Sequence, residues 1–413
     1  MTFIEGAGES LGPILVVFVL GAAIALLLTP LVRRTVRSYG IVDRPDARRV
    51  NTRPIPRAGG VAIAVGFLVV AVPFTLLNAS AHWVPMPLNI TAGDFIALFA
   101  GGAVAAVIGA LDDLFDLRAR WQLLGQGLLA LAATALGVTI TLINNPFGGG
   151  PIKLEPFAIG FTVFWIVGMI NSINWIDGLD GLSTGIALIA TVTLGLLSLT
   201  TKVSQPLIAV LCFALAGALL GFLRWNFHPA KIFSGTTGVQ FVGYTLAVLS
   251  ILGSAKVAVA LLVLGVPIID TFWIIVGRLS QRRSPFTPDR THIHHRLLDL
   301  GLSHRNTVLF IYAICIGLGV LALLVQEVTQ AYAFISLFIV AGLILFGPTR
   351  GAFDRPEELE AESYDAGVPT SPVGTSGQAS GAQPGDLPGA PPAPPAARPR
   401  RAASPPRNTA SSR

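Results

Sequence analysis

The sequence predicts an all-α, polytopic membrane protein of about eleven transmembrane helices followed by a disordered tail. Three observations carry that prediction. The 413-residue chain is 53% hydrophobic and only 12% charged, too apolar and charge-poor for a soluble domain. Its apolar residues gather into runs of about 20, the length that crosses about 30 Å of hydrocarbon. The basic residues, in turn, fall almost wholly on alternate connections between those runs.

The runs cover residues 11–32, 59–78, 94–111, 122–142, 157–174, 181–200, 205–222, 238–254, 257–277, 307–325 and 331–347. Glu5 and Glu9 precede the first run and Arg33 and Arg34 follow it. It therefore reads as a retained helix that starts outside and ends inside, not as a signal peptide. With that start, 25 of the 28 Lys and Arg residues lie on inside connections or in the tail, and only Lys153, Lys202 and Lys256 lie outside. The net charge of +6 is then mainly a topology signal, and nucleic acid is not an expected partner. Cys212 and Cys315 fall within apolar runs and read as small buried hydrophobes. A membrane domain over 1–348 gives way to residues 349–413, with 12 prolines, an acidic start and a basic end. Such a composition cannot bury a core. The absence of a convincing internal repeat argues against an inverted-repeat transporter.

The unusual chemistry sits on the inside connections. Asp112 and Asp113 end the third run, with Asp116 one turn further. In a continuing helix Asp112 and Asp116 would share a face. These acids could hold Mg²⁺, one could act as a base, or they could form a solvated cluster. The stretch Asn171-Ser-Ile-Asn-Trp-Ile-Asp-Gly-Leu-Asp-Gly181 places two amides and two acids at the end of the fifth run. Helical spacing would put Asp177 and Asp180 on one face. Turn chemistry explains one Asp-Gly well but not the pair with Asn171 and Asn174, so a site is the better reading. Arg48, Arg49, Arg53 and Arg57 could grip phosphate oxygens, beyond anchoring the inside face. His292, His294 and His295, flanked by Arg290 and Arg296, suit an anion better than zinc, for want of a regularly spaced fourth ligand. Asp270 within the ninth run reads equally as a functional acid or a packing partner. Acids for a metal, bases for phosphates and a membrane location together point to phosphoryl transfer involving a lipid.

Four ordered motifs over roughly residues 40–305 resemble the polyprenyl-phosphate N-acetylhexosamine-1-phosphate transferases, relatives of the phospho-MurNAc-pentapeptide translocases. They are Asp112-Asp113, Asn171-x-x-Asn-x-x-Asp-Gly-x-Asp-Gly-Leu182, Asn226-Phe-x-Pro-Ala-x-Ile-Phe233 and His292-x-His-His-Arg-Leu297. The resemblance implies transfer of an amino-sugar 1-phosphate, chiefly from UDP-GlcNAc, to undecaprenyl or decaprenyl phosphate. UMP leaves, and the product opens lipid-linked cell-wall or surface-glycan synthesis. It implies Mg²⁺, with Mn²⁺ as a substitute, and a plasma-membrane enzyme whose active site and tail are cytoplasmic. A homodimer is compatible with it. By position, Asp112 and Asp113 become catalytic, and Asn174, Asp177 and Asp180 metal-binding. Arg48, Arg49, Asn171, Asn226, His292, His294, His295 and Arg296 become substrate-binding. Three positions depart from the family pattern. Gly235-Thr-Thr-Gly238 stands where Gly-Asp-x-Gly is usual, so Thr236 replaces a metal-ligand aspartate. Gln122 replaces a frequent Lys, and Asn51 a common His. A hydroxyl is a weaker Mg²⁺ ligand than a carboxylate, so a substrate-binding protein without turnover is the alternative expectation.

Overall fold

The computed structural model describes residues 7–43, 54–87, 89–143, 145, 150–200, 203–253, 264–280 and 293–325, with scattered positions up to 339. The elements run α1 (Ala7–Ser38), β1 (Val42–Asp43), β2 (Ile55–Pro56), α2 (Gly60–Ala81), α3 (Ala92–Phe115), α4 (Ala119–Ala135), β3 (Leu142–Ile143) and β4 (Ile152–Lys153). They continue with α5 (Ala158–Ile176), α6 (Leu182–Ser198), α7 (Pro206–Asn226), α8 (Gly235–Leu252), α9 (Gly265–Ser280), α10 (Ile293–Asp299) and α11 (His304–Leu324).

The protein is an all-α, polytopic membrane protein. Seven of these helices, α1, α2, α3, α5, α7, α8 and α11, are long and apolar enough to cross a bilayer. The 17-residue α4 and α6 and the 16-residue α9 account for three more of the expected runs. The eleventh run, 331–347, lies largely outside the described residues, and so does the tail. The compact unit extends over Met1–Phe353, and everything below concerns it.

Two details differ from the sequence reading. The fourth run was expected to remain helical to 142, but α4 stops at Ala135 and the chain turns through Gly137 at φ +118°. Val138, Ile140 and Leu142 keep the average hydropathy high despite Thr139 and Thr141, which hid the stop from a hydropathy reading; glycine tolerates the positive φ that ends the helix. The two antiparallel hairpins, β1–β2 and β3–β4, have strands of two residues, too short for any alternation to register in sequence.

α7 and α8 form the interior. α1 and α6 pack on α7, while α3 and α5 pack on α8. The contact of α1 with α7 is made through glycine: a Cβ at Gly217 would strike the Phe18 carbonyl, and one at Gly221 that of Ala22. Small residues let membrane helices approach at the backbone, where dispersion replaces the missing hydrophobic force. The opposite face of α1 carries exposed Leu15, Val16, Val19, Leu27 and Leu31, as a lipid-facing surface should. Two polar groups buried among the helices tie neighbours together. The Tyr244 hydroxyl donates to the Ala97 carbonyl at 2.7 Å, and the Trp165 indole N–H donates to Ser250 Oγ at 3.1 Å. These bonds fix α8 against α3 and α5, the three helices whose ends build the site.

Candidate active site

The end of α3 and the start of α8 meet through two adjacent aspartates. Asp113 Oδ1 accepts the Thr236 N–H at 3.0 Å, and Oδ2 accepts the Thr237 N–H at 2.9 Å and the Thr237 hydroxyl at 2.6 Å. Asp113 is 3% exposed and caps the N-terminus of α8 from a different helix, where a negative charge meets unpaired amides and the positive end of the dipole. Gly235, at φ +66°, makes the approach feasible, because a Cβ there would run into both Asp113 oxygens and the Ala58 amide. Asp112 is bound differently. Its Oδ1 accepts from the Leu117 N–H at 2.9 Å and the Gln122 amide at 2.7 Å, and its Oδ2 accepts from the Thr236 hydroxyl at 2.6 Å. Two of the departures from the family pattern therefore bear on the same carboxylate.

The expected alignment of Asp112 with Asp116 is corrected. α3 ends at Phe115, and Asp116 caps it in the left-handed region at φ 47°. Its carboxylate turns to Arg57, whose guanidinium donates to Asp116 Oδ1 at 2.6 Å and to the Asp113 carbonyl at 2.8 Å. The segment carrying Arg57 is tied to the start of α8 by backbone alone. Phe233 N–H donates to Pro56 O, Gly59 N–H to Phe233 O and Gly60 N–H to Ser234 O, all within 2.9 Å.

The second acid pair is also rearranged. α5 ends at Ile176 with Asp177 as its cap, so Asp177 and Asp180 do not share a helix face. Asp177 accepts from the Ser183 hydroxyl and, at 2.7 Å, from the Ser234 hydroxyl. Burial pushes the Asp177 carboxyl above its ordinary value. The two hydroxyls pull it back, and the negative charges of Asp113 and Asp180 push it up again. The three acids are thus within electrostatic reach of one another. A carboxyl raised in the folded state costs stability as pH climbs past its unfolded value of 3.8, where the unfolded chain ionises freely. Asp177→Asn should therefore raise the thermal midpoint of ion-free protein by a few degrees at pH 7, with the gain vanishing towards pH 3.8. Scanning calorimetry at the two pH values checks this; an unchanged or lowered midpoint at neutral pH would contradict it.

Asp180 faces two imidazoles instead. Its Oδ2 lies 2.8 Å from His228 Nδ1 and accepts the Ala230 N–H at 3.0 Å, while its own N–H donates to His304 Nε2 at 3.0 Å. Asn174 lies one turn before Asp177 with its side chain partly exposed. Asn171 donates to Gln126 Oε1 at 2.6 Å, linking α5 to α4. Asn226, expected to bind substrate, is 2% exposed; its amide donates to Ile232 O and its oxygen accepts from Thr184, so it braces the turn after α7. Asp270 accepts the Ile293 N–H at 3.0 Å at the start of α10, which also holds Arg296. Arg48, Arg49 and His292 lie outside the described residues, as do the side chains of His294 and His295.

A glycosyl transferase family 4 model matches residues 95–254, the stretch from α3 to α8 that carries Asp112, Asp113, Asp177, Asp180 and Thr236. The chain is 38% identical to the probable undecaprenyl-phosphate N-acetylglucosaminyl 1-phosphate transferase of Bacillus subtilis (strain 168), over 81% of this chain and 90% of that protein. The chain belongs to the polyprenyl-phosphate N-acetylglucosamine-1-phosphate transferase family. The decaprenyl-phosphate N-acetylglucosaminephosphotransferase of Mycolicibacterium smegmatis is 34% identical over 74% of this chain and 80% of its own length. The undecaprenyl-phosphate alpha-N-acetylglucosaminyl 1-phosphate transferase of Thermotoga maritima is 30% identical over 78% and 94% respectively. Within this family member, the partners that sequence reasoning missed are Gln126, Ser183, Ser234, Thr237, His228 and His304. His228 and Thr237 carried a signal, since they sit inside the Asn226 to Phe233 and Gly235 to Gly238 motifs.

Proposed function

We propose that this chain transfers N-acetylglucosamine 1-phosphate from UDP-GlcNAc to a polyprenyl phosphate, releasing UMP. The observation that carries the reading is the meeting of Asp112 and Asp113 from α3, Asp177 from the end of α5 and the start of α8 in one cluster. The relatives' names support the same activity, and they lend none to the alternative of a protein that binds without turnover. The sided distribution of Lys and Arg supports a site at the cytoplasmic face of the plasma membrane.

The donor set suits Mg²⁺. Asp113 and Asp177 offer oxygen only, repel each other, and Asp177 is balanced by neutral hydroxyls. These two, with Asn174 alongside, would hold the ion, and Thr236 is a neutral neighbour. Bound there, Mg²⁺ would offset the diphosphate charge. Asp112 acts as the base and accepts the acceptor phosphate's proton on a carboxylate oxygen, Oδ2 being held by a single hydroxyl. The freed phosphate oxygen attacks the sugar-bearing phosphorus. A new P–O bond forms, the bond from that phosphorus to the bridging oxygen breaks, and the bridging oxygen departs with UMP. Arg57 fixes the end of α3, so that both aspartates keep their aim.

The test is direct. Purified protein with Mg²⁺, undecaprenyl or decaprenyl phosphate and a panel of UDP-sugars should release UMP, fastest with UDP-GlcNAc. Chelation should stop the reaction and Mg²⁺ or Mn²⁺ should restore it. A folded preparation that releases no UMP from any donor overturns the reading.

A further inference from the structure

Asp180, His228 and His304 come from three separate connections: the turn between α5 and α6, the turn after α7 and the start of α11. The His228 and His304 rings stack with centroids 4.2 Å apart and planes inclined by 21°. One ligand atom from each of the three residues lies within 4.8 Å of the others, and all three side chains are partly exposed. We propose that this triad is a binding site for a borderline-soft divalent cation of the Zn²⁺ class, separate from the all-oxygen cluster around Asp113 and Asp177.

Donor chemistry separates the two sites. Mg²⁺ takes oxygen ligands in near-ideal octahedral geometry. Two imidazoles and one carboxylate suit zinc-class ions, and three protein ligands leave a fourth position for water. Ligand bonds of about 2.0–2.2 Å place tetrahedral donors about 3.4 Å apart. To reach that spacing the two rings turn out of their present stack, so that both ring planes meet at the ion. Asp180 is already oriented, because Oδ2 accepts the Ala230 N–H, as outer contacts orient metal ligands elsewhere. Partial exposure leaves a route for the ion. Once bound, it would cross-link three connections that are now joined by hydrogen bonds and ring stacking.

The test uses tag-free, full-length protein in detergent, stripped with a chelator and titrated with Co²⁺ in the absence of any substrate. Binding is read from the visible absorption of tetrahedral Co²⁺. The readout needs no turnover, so its failure would leave the proposed transferase activity untouched. One equivalent should bind, be displaced by Zn²⁺ and resist excess Mg²⁺. His228→Gln and His304→Gln should each weaken Co²⁺ binding by at least about tenfold, with thermal melts showing that both remain folded. The double variant His294→Gln, His295→Gln should bind as the parent does, which separates the triad from the histidines of α10. Absence of the tetrahedral bands, or bands that persist in both single variants, overturns the proposal.

Discussion

Asp113→Asn is expected to abolish UMP release and to lower the thermal midpoint, both in one variant. The reason is the pattern of donors around the carboxylate. Oδ1 faces the Thr236 N–H and Oδ2 faces the Thr237 N–H. An asparagine amide has one oxygen and one NH₂ group. Whichever way it turns, its NH₂ confronts a backbone N–H that can only donate. One amide at the start of α8 is then left buried without an acceptor, and the charge opposing the helix dipole is gone. Together these cost about 2–4 kcal/mol. Turnover falls as well, because Thr236, which holds Asp112, shifts with the start of α8. A variant that kept its midpoint while losing activity would show that Asp113 acts in chemistry without bracing the fold.

Asp112→Asn is expected to give the opposite division: UMP release down by about 10²–10⁴-fold with little change in stability. Here the geometry tolerates an amide. The asparagine oxygen can take the place of Oδ1, accepting from Leu117 and Gln122. Its NH₂ then faces the Thr236 hydroxyl, which can rotate from donor to acceptor. What is lost is the ability to take a proton. Steady-state UMP release and a thermal melt on the same preparation decide the matter. Turnover within about tenfold of the parent would remove Asp112 from the base role.

Much of this architecture was legible in sequence, for reasons that also set the limits. Apolar runs of bilayer length give helices regardless of neighbours, so α1, α2, α3, α5, α7, α8 and α11 followed from hydropathy alone. The acid pairs were conspicuous because a carboxylate at a membrane-helix end demands a partner. Their geometry was not readable. Helical spacing linked Asp112 to Asp116 and Asp177 to Asp180, yet α3 stops inside the first interval and α5 just before the second, and each acid found a different partner. Those partners are tertiary. Thr236 and Thr237 lie more than a hundred residues from the aspartates they bind, and His304 lies equally far from Asp180. No periodicity spans such a gap. Asn226 misled for a related reason: its motif was recognisable, but whether an amide faces a ligand or braces a turn depends on what folds around it.

The close seating of α1 on α7 bears on how the chain is assembled. α1 ends at Ser38 and α7 does not begin until Pro206. At about 5–20 residues per second, roughly ten to thirty seconds of synthesis separate them. Throughout that interval the carbonyls of Phe18 and Ala22 wait in the bilayer for the two glycines they will meet. α1 therefore has α2 as a neighbour early on and is fully seated only once α7 is made. A bulky substitution at Gly217 or Gly221 would leave α1 held by α2 but without its seat on α7.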